Sequence, residues 1–380
     1  MPTVTVVGAG PVGLRLAQRL SEDGWETIVL EEHPEVGTPE HCSGLLSVSG
    51  IRDSGLPVEN CTQNAIVGAK LIAPNGLTLT IRRKQPVALV VDRTGLDKAM
   101  EQEAKKAKAI VQHNTKLIDV RKETVFVQHN QRGEMIKTKL VAGCDGVRSR
   151  VRELWKVQSP KEKFVHSYQA HVRGNFADPG LVELHFGNFA PGFFGWVIPQ
   201  GKEYAKVGVG CATGNNPKAS YDRFVQEKNI PISETLRENS FLIPCAEPLN
   251  ELVRDNQLLC GDAAFQTKAT TGGGIILGVQ SAEVAANAIT DHLKEKKPLN
   301  QYAKNMASIN RELLSHWKMR KYFNSLNEQQ INQLFEKLKK ADMEEFLAEH
   351  WDMDKPTRFI GKMIATPSLW GFAGLAMKFR

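Results

Sequence analysis

The chain has 380 residues, of which 41% are hydrophobic and 24% charged, and its mean hydropathy is -0.31. This balance excludes a disordered chain and a disulfide-stapled miniprotein, and the length predicts more than one hydrophobic core. Lys and Arg total 49 against 42 Asp and Glu, a formal net charge of +7, which suits an anionic lipid surface, a phosphorylated substrate or simple solubility, and we expect no nucleic-acid partner.

The cysteine pattern and the hydropathy together predict a cytoplasmic protein. The six cysteines lie far apart without a CxxC pair, and the first residues carry no basic-then-apolar leader. Reduced thiols and the absence of an iron–sulfur or other metal site are therefore expected. The longest apolar stretch, residues 359–377, contains Lys362 and Pro367, so a membrane-spanning helix is not expected.

The first thirty residues predict a strand, a glycine-rich turn, a helix and a second strand. Residues 3–7 (TVTVV) form a β-branched run that leads into residues 8–13 (GAGPVG). A helical apolar stripe then runs to Gly24, and residues 27–30 form the second strand. This is a complete βαβ unit.

The glycines of this unit have the GxGxxG spacing of a dinucleotide-binding turn. Gly8 permits the tight turn, Gly10 lets backbone approach a pyrophosphate, and Gly13 allows helix and strand to pack closely. Glu31, at the end of the second strand, can accept hydrogen bonds from an adenosine ribose and would repel a 2′-phosphate, which favours FAD or NAD over NADP. The dinucleotide contacts predicted from this unit are Gly8, Gly10, Pro11, Val12, Gly13, Glu31 and Glu32.

Three later segments distinguish FAD from NAD. The β-rich stretch 66–91 interrupts the regular βα repeats of a nicotinamide dehydrogenase, and two further strands end in Asp145-Gly146 and Gly261-Asp262. In this order and spacing, the segments resemble the FAD-binding fold shared with p-hydroxybenzoate hydroxylase. The resemblance implies that Asp262 binds the ribityl chain of FAD and that Arg93 reaches the flavin from the start of a helix.

Between the flavin segments, four runs have the length and composition of strands in an antiparallel sheet. They are residues 164–172, 181–186, 193–198 and 204–211. The fold class predicted is α/β, with a Rossmann-type FAD-binding domain interleaved with an antiparallel substrate-binding sheet and followed by helices. The expected division is residues 1–50, 88–160 and 245–297 for the FAD domain, 51–87 and 161–244 for the sheet domain, and 298–380 for the helical region.

Residues 191–199 (PGFFGWVIP) are similar to the PxxYxWxFP pattern of the geranylgeranyl reductase family. Phe194 stands where the family has Tyr, which removes a hydroxyl, and Ile198 stands where it has Phe. Strand alternation places Phe194, Trp196 and Ile198 on one face. The substrate contacts implied here are Phe194, Trp196, Ile198 and Pro199; a plain sheet core is the alternative.

Residues 261–275 (GDAAFQTKATTGGGI) also resemble that family, although Phe265 and Ala269 depart from its usual Gly and Pro. The resemblance places Gly272, Gly273, Gly274 and Ile275 against the flavin, where the N–H groups that open the following helix stabilise negative charge. Lys268 is a candidate to hold a phosphate or pyrophosphate head group, with a solvated loop lysine as the alternative.

Residues 40–47 (EHCSGLLS) resemble the family's CxGxLS segment. The implied flavin contacts are Cys42, Ser43 and Gly44. Cys42 is the candidate catalytic residue, which would supply or relay a proton, and His41 is a weaker candidate. A buried, inert thiol is the alternative.

Together, these resemblances imply an FAD-dependent reductase that saturates geranylgeranyl chains of lipid precursors. Hydride from reduced flavin and a proton would add across the double bond, with NAD(P)H or reduced ferredoxin as the electron donor. Two alternatives stay open: a flavin monooxygenase or halogenase of the same fold, and a non-enzymatic prenyl-binding carrier.

The tail, residues 351–380, combines a net charge of +3 with many apolar side chains. It carries Lys355, Arg358, Lys362, Lys378 and Arg380 together with Phe359, Ile360, Met363, Ile364, Leu369, Trp370, Phe372, Leu375, Met377 and Phe379. This composition suits a helix in the lipid headgroup layer at the inner face of the cell membrane. A helix packed on the protein is the alternative.

Overall fold

The strands of this chain form one mostly parallel sheet, one mostly antiparallel sheet and two small sheets, in a computed structural model that describes residues 2–158 and 163–379. The strands are β1 (Val4–Val7), β2 (Thr27–Leu30), β3 (Leu45–Ser47), β4 (Thr62–Ile66), β5 (Gly68–Ile72), β6 (Thr78–Arg82), β7 (Ala88–Val91), β8 (Ile110–Gln112), β9 (Thr115–Arg121), β10 (Thr124–His129), β11 (Arg132–Lys137), β12 (Leu140–Gly143), β13 (Phe164–Gly174), β14 (Leu181–His185), β15 (Gly195–Pro199), β16 (Tyr204–Ala212), β17 (Ile232–Pro244), β18 (Val253–Arg254) and β19 (Gln257–Leu259).

The helices frame these sheets and make up most of the last 80 residues. They are α1 (Pro11–Glu22), α2 (Val48–Ser54), α3 (Arg93–Lys106), α4 (Arg150–Leu154), α5 (Pro217–Glu227), α6 (Ile275–Glu295), α7 (Gln301–Asn305), α8 (Ala307–Asn324), α9 (Glu328–Lys340), α10 (Met343–His350), α11 (Pro356–Ala365) and α12 (Ala373–Phe379), with 3-10 turns at Gly261–Ala264 and Pro367–Phe372. Within the described residues, no helix combines the length and the apolar character needed to span a membrane.

A six-stranded sheet in the order β18-β19-β12-β1-β2-β8 forms the centre of the first layer. Apart from the β18–β19 pair, its neighbours run parallel. Strands β1, β2 and β12 are apolar and fully buried because helices cover both faces of a parallel sheet. The βαβ unit predicted from the first thirty residues is therefore confirmed.

A seven-stranded sheet in the order β17-β13-β16-β15-β14-β5-β6 forms the second layer. Its pairs are antiparallel except β5–β14. Side chains alternate along β15, so that Trp196 and Ile198 pack on one face, and Val197 packs on the other with Phe224 of α5. The predicted fold class, α/β with an added antiparallel sheet and C-terminal helices, is confirmed.

A small sheet in the order β3-β7-β4 joins the two proposed domains. Its strands β3 and β7 belong to the proposed FAD domain, and β4 belongs to the proposed sheet domain. Strands β9, β10 and β11 form a separate antiparallel meander. The proposed boundary between residues 160 and 161 lies outside the described residues, and the domain limits stay a prediction.

Candidate functional site

A cavity of about 1010 Å³ lies between the two large sheets and the C-terminal helices. The predicted site residues on its wall are Gly10, Pro11, Val12, Glu31, Glu32, Cys42, Ser43, Arg93, Asp145, Gly146, Phe194, Trp196, Ile198, Asp262, Lys268, Gly272, Gly273, Gly274 and Ile275. Gly8, Gly13, Gly44, Gly261 and Pro199 lie outside the wall. The structure therefore brings most of the predicted site residues to one continuous space.

The glycine-rich turn presents the N-terminus of α1 to this space. Gly10 is the N-cap of α1 and offers no side-chain cap to the first helical amides. A Cβ atom on Gly13 would lie 2.0 Å from the Gly8 carbonyl oxygen, whereas one on Gly10 would meet no atom within 4 Å. Gly13 is thus required by packing within the protein, and the space in front of Gly10 is open to a ligand.

Glu31 is held rigidly where β2 ends. One carboxylate oxygen accepts a hydrogen bond from the Ala9 amide (2.9 Å), and the other accepts one from the His33 amide (2.9 Å) and lies 2.7 Å from His33 Nδ1. Glu32 also faces the cavity, but its side chain is half exposed and pairs with Lys116 (3.2 Å). Glu31 is therefore the fixed carboxylate at this end of the cavity.

Asp145 and Asp262 both lie on the cavity wall, but their carboxylates accept different numbers of hydrogen bonds from the protein. Asp145 caps α4 by accepting hydrogen bonds from the Ser149 hydroxyl (2.6 Å) and the Arg150 amide (2.6 Å), and desolvation raises its pKa. Asp262 accepts from the Thr267 hydroxyl (2.8 Å). Desolvation raises the pKa of Asp262 against the opposing charges of Arg93 and Arg152. Asp262 is therefore the better placed of the two to bind a ligand with its side chain.

Arg93 and Cys42 meet on the wall between the glycine-rich turn and the apolar part of the cavity. The Arg93 guanidinium donates to both carboxylate oxygens of Asp97 (2.8 and 3.1 Å). Burial by itself would lower the pKa of Arg93, but Asp97 and Cys42 outweigh it and raise the pKa. The Gly44 amide donates to Cys42 Sγ (3.3 Å), which fixes the thiol, and His41 lies nearby on the wall.

Lys268 is buried in the loop before α6. Its ammonium donates to Asp354 (2.6 Å), whose second oxygen accepts a hydrogen bond from the Ser47 hydroxyl. Gly273 packs on the Lys268 side chain, because a Cβ atom there would lie 2.8 Å from Lys268 Cε. The alternative of a solvated loop lysine is therefore wrong, and a head-group phosphate would have to compete with Asp354.

Aromatic side chains of β15 and the turn before it form one wall of the apolar part of the cavity. Phe194 stacks on Phe193 with 4.3 Å between ring centroids, and Trp196 Nε1 donates to Gln169 (3.1 Å). Pro199 is buried away from the cavity, where its carbonyl accepts a hydrogen bond from Asn64 (2.8 Å). We call this apolar part, walled by β15 and the C-terminal helices, the slot.

The C-terminal helices form the opposite wall of the slot, which the sequence analysis did not predict. They contribute Met319, Leu338, Met343, Leu347, Trp351, Met353, Phe359, Ile360, Met363, Phe372 and Phe379. Phe359, Ile360 and Met363 lie on one buried face of α11, so these side chains pack on the protein as the alternative expected. The side chains of Trp370 and Leu375, together with Arg380, lie outside the described residues.

Comparison with known proteins gives one matching family model and many relatives. The FAD binding domain family matches residues 1–316. The digeranylgeranylglycerophospholipid reductase of Methanocaldococcus jannaschii is 30% identical over 356 residues, covering 88% of this chain and 90% of that protein. The reductase of the same name from Methanococcus vannielii is 28% identical and covers 88% and 87% of the two chains.

Solved structures show the same fold. A geranylgeranyl bacteriochlorophyll reductase-like protein from Thermoplasma acidophilum superimposes with a TM-score of 0.87 at 22% identity, covering 99% of both chains. A flavin-dependent brominase superimposes with a TM-score of 0.68 at 15% identity, covering 96% of this chain and 98% of that one. At these identities the structural likeness carries the fold and no more.

Proposed function

Because the chain belongs to the geranylgeranyl reductase family of FAD-binding proteins, we propose that it saturates carbon–carbon double bonds in the geranylgeranyl chains of lipid precursors. FAD is its cofactor, and it is a flavin-dependent oxidoreductase. The observation that carries the proposal is the continuity of the cavity, which joins the dinucleotide-binding turn to an apolar slot.

The polar end of the cavity fits FAD. Open space in front of Gly10 and the uncapped amides of α1 suit a pyrophosphate, and Glu31 and Asp262 are fixed carboxylates that suit ribose and ribityl hydroxyls. The glycines before α6 would face the flavin ring. Bound FAD supplies, in its reduced form, the hydride for the reaction.

The slot fits an isoprenoid chain. Its walls include Phe194, Trp196 and Ile198 of β15 and the turn before it, together with side chains of the C-terminal helices. Burying twenty carbons at about 0.8 kcal/mol each sets an upper limit of about 16 kcal/mol on the transfer free energy, which chain ordering and removal from a membrane reduce. Such walls hold the chain in one path and exclude water from the reacting bond.

We propose that Cys42 supplies the proton. With FAD bound, the reduced cofactor would supply a hydride to one alkene carbon and the Cys42 thiol would give its proton to the neighbouring carbon, so that the double bond would become a single bond. The Gly44 amide donates a hydrogen bond to the sulfur, and the Arg93 charge lies close to it, at the junction of the two parts of the cavity. A proton from solvent restores the thiol, and an external donor, NAD(P)H or reduced ferredoxin, returns the electrons.

Anaerobic turnover tests this function. The purified protein is reconstituted with FAD, reduced with dithionite and incubated with a digeranylgeranyl glycerophospholipid in detergent. The molecular mass of the product is then measured by mass spectrometry. We expect a gain of two hydrogens per double bond without oxygen. A strict oxygen requirement with a hydroxylated or halogenated product would contradict the proposal, and a colourless protein that cannot take up FAD would indicate a prenyl carrier.

We also propose peripheral contact between the tail and anionic lipid. Arg358, Lys362 and Lys378 are exposed on α11 and α12. Flotation with vesicles that contain anionic phospholipid tests this contact, using the triple variant Arg358→Gln, Lys362→Gln, Lys378→Gln. Flotation that is equal for the variant and the parent protein would remove the proposal.

A further inference from the structure

Four arginine and lysine side chains line the cavity in the part of the chain that the structure describes: Arg83, Arg93, Arg148 and Lys268. Arg93 is paired with Asp97, and Lys268 is paired with Asp354. Arg148 is exposed and lies near Gly146 at the polar end of the cavity. Arg83 has no carboxylate partner among the described residues, which leaves it as the slot's uncompensated cation.

Arg83 is fixed at the junction of the seven-stranded sheet and the C-terminal helices. Its backbone amide donates to the Val67 carbonyl (2.8 Å), and its Nη2 donates to the Trp351 carbonyl (2.6 Å). A guanidinium has five N–H donors, so most donors of Arg83 are still available to oxygen atoms of a ligand. The side chain is half-buried, which strengthens a charged contact relative to open solvent.

Arg83 and the glycine-rich flavin loop adjoin different edge strands of the seven-stranded sheet. Arg83 follows β6, one edge strand, whereas Gly272 of the loop packs against Ile243 of β17, the other edge strand. The loop and Arg83 are also connected through the C-terminal segment, because Trp351 accepts a hydrogen bond from Arg83 and Asp354 accepts one from Lys268 of the loop. A ligand that contacts both Arg83 and the loop therefore lies along the slot, with its charged end at Arg83 and its apolar chain toward the loop.

We propose that Arg83 binds the phosphate of a phosphorylated prenyl lipid, and that this contact fixes which end of the chain enters the slot. The inference rests on the proposed function and adds the head-group site to it. The guanidinium donates two parallel hydrogen bonds to phosphate oxygens, as arginine does at planar recognition sites. A neutral prenyl lipid gains nothing from this contact.

A purely structural role for Arg83 predicts a different behaviour. Trp351 is the C-cap of α10, and a cation near a helix C-terminus stabilises that helix. Loss of such support would affect every substrate alike, because it would loosen one wall of the slot. Discrimination between a charged and a neutral lipid therefore separates the two roles.

The experiment compares Arg83→Ala and Arg83→Lys with Lys84→Ala, the exposed neighbouring cation that does not line the cavity. The substrates are digeranylgeranylglyceryl phosphate and unphosphorylated digeranylgeranylglycerol in the same neutral detergent. We expect Arg83→Ala to raise KM for the phosphorylated lipid by about 10- to 100-fold and to leave KM for the neutral lipid unchanged. Arg83→Lys should recover part of this loss, and Lys84→Ala should behave as the parent protein.

A second readout is equilibrium binding of both lipids to the oxidised protein, followed by tryptophan fluorescence, because Trp351 lines the slot. The Kd for the phosphorylated lipid should rise by the same factor in Arg83→Ala. Equal losses for both lipids, or no loss for either, would overturn the head-group site. Failure of the parent protein to reduce either lipid, with binding still selective for phosphate, would instead contradict the proposed function.

Discussion

The ammonium group of Lys268 lies 2.6 Å from a carboxylate oxygen of Asp354, and neither residue is more than 5% exposed. The second carboxylate oxygen accepts a hydrogen bond from Ser47, which also caps α2. One buried carboxylate therefore joins the loop before α6, the segment that carries Cys42, and the C-terminal wall of the slot. Burial by itself would raise the pKa of Asp354, but Lys268 and Ser47 outweigh it and lower the pKa.

We expect Asp354→Asn to be strongly destabilising because it leaves the Lys268 charge buried without a partner. The free energy of unfolding should fall by about 3 to 5 kcal/mol at pH 7, measured by urea denaturation. The control is Asp178→Asn, which breaks the surface pair with Arg82 and should cost less than about 1 kcal/mol. Equal losses of unfolding free energy in the two variants would show that the buried pair contributes no more to stability than the surface pair.

His316 gives the fold a pH dependence. Burial, with a further contribution from Lys268, lowers the pKa of His316 to about 3, whereas an unfolded histidine titrates near about 6.5. Below that value the unfolded chain binds a proton that the folded protein does not, so stability falls as the pH drops from about 6.5 toward 3.

His316→Gln should remove this dependence, because glutamine does not titrate and can still reach the Thr270 hydroxyl that contacts His316 Nδ1 at 2.6 Å. Between pH 6 and 4 the parent protein should lose about 1.4 kcal/mol more per pH unit than the variant, in urea denaturation at each pH. His292→Gln on the surface of α6 is the control and should keep the parent slope. Identical slopes for the parent and His316→Gln would contradict the prediction.

Gly10→Ala should weaken FAD binding, whereas Gly13→Ala should lower the stability of the fold. The methyl group added by Gly10→Ala projects into open cavity, so we expect an unfolding free energy within about 1 kcal/mol of the parent and FAD binding weakened by at least about 10-fold. The methyl group added by Gly13→Ala would overlap the Gly8 carbonyl, so the loss of stability should exceed about 3 kcal/mol. Thermal unfolding of the cofactor-free protein and flavin fluorescence titration measure the two effects, and unchanged FAD affinity in Gly10→Ala would contradict the pyrophosphate assignment.

Met363→Trp should narrow the slot. Met363 is buried on the wall, and a larger side chain there should lower kcat/KM for a geranylgeranyl lipid by about 10-fold and for a geranyl lipid by less. The control is Ala365→Gln at an exposed position of the same helix that does not line the cavity, and it should leave both values unchanged. An equal reduction of kcat/KM for the geranylgeranyl and geranyl lipids would contradict a contact between Met363 and the longer chain.

Cys42→Ala should lower kcat by about 100-fold while FAD content and the rate of flavin reduction by dithionite stay at parent values. Cys61→Ala, a buried thiol outside the cavity wall, is the matched control. Full turnover by Cys42→Ala would assign the proton to another group.

Sequence patterns predicted the parts of the molecule that local chemistry determines. The GxGxxG turn, β1 and α1 form from contiguous residues, and the alternation around Trp196 placed its neighbours on one face, because these features depend on spacing alone. The fold class, the family and FAD are confirmed by the structure and the comparisons. Most of the proposed contacts do share one cavity, although their roles stay predictions.

Tertiary pairing was not predictable in the same way. Asp354 is 86 residues from Lys268, and Trp351 is 268 residues from Arg83. The segment that holds Trp351 and Asp354 carries no motif that would indicate either contact. The tail composition allows both a helix in the headgroup layer and a helix packed on the protein, because periodicity shows that a face is covered without showing what covers it. In the structure, the apolar face of α11 is buried on the cavity.

The C-terminal wall of the slot lies beyond the part of the chain that matches the FAD binding domain family. That match ends at residue 316, and helices α9 to α12, which supply most of the wall, begin at Glu328. One wall of the slot is thus encoded after the stretch that matches the FAD binding domain family, whereas the β15 wall lies within that stretch. Exchange of roughly the last fifty residues between relatives, by natural divergence or in a laboratory chimera, would therefore change the shape of the slot and leave the glycine-rich turn untouched.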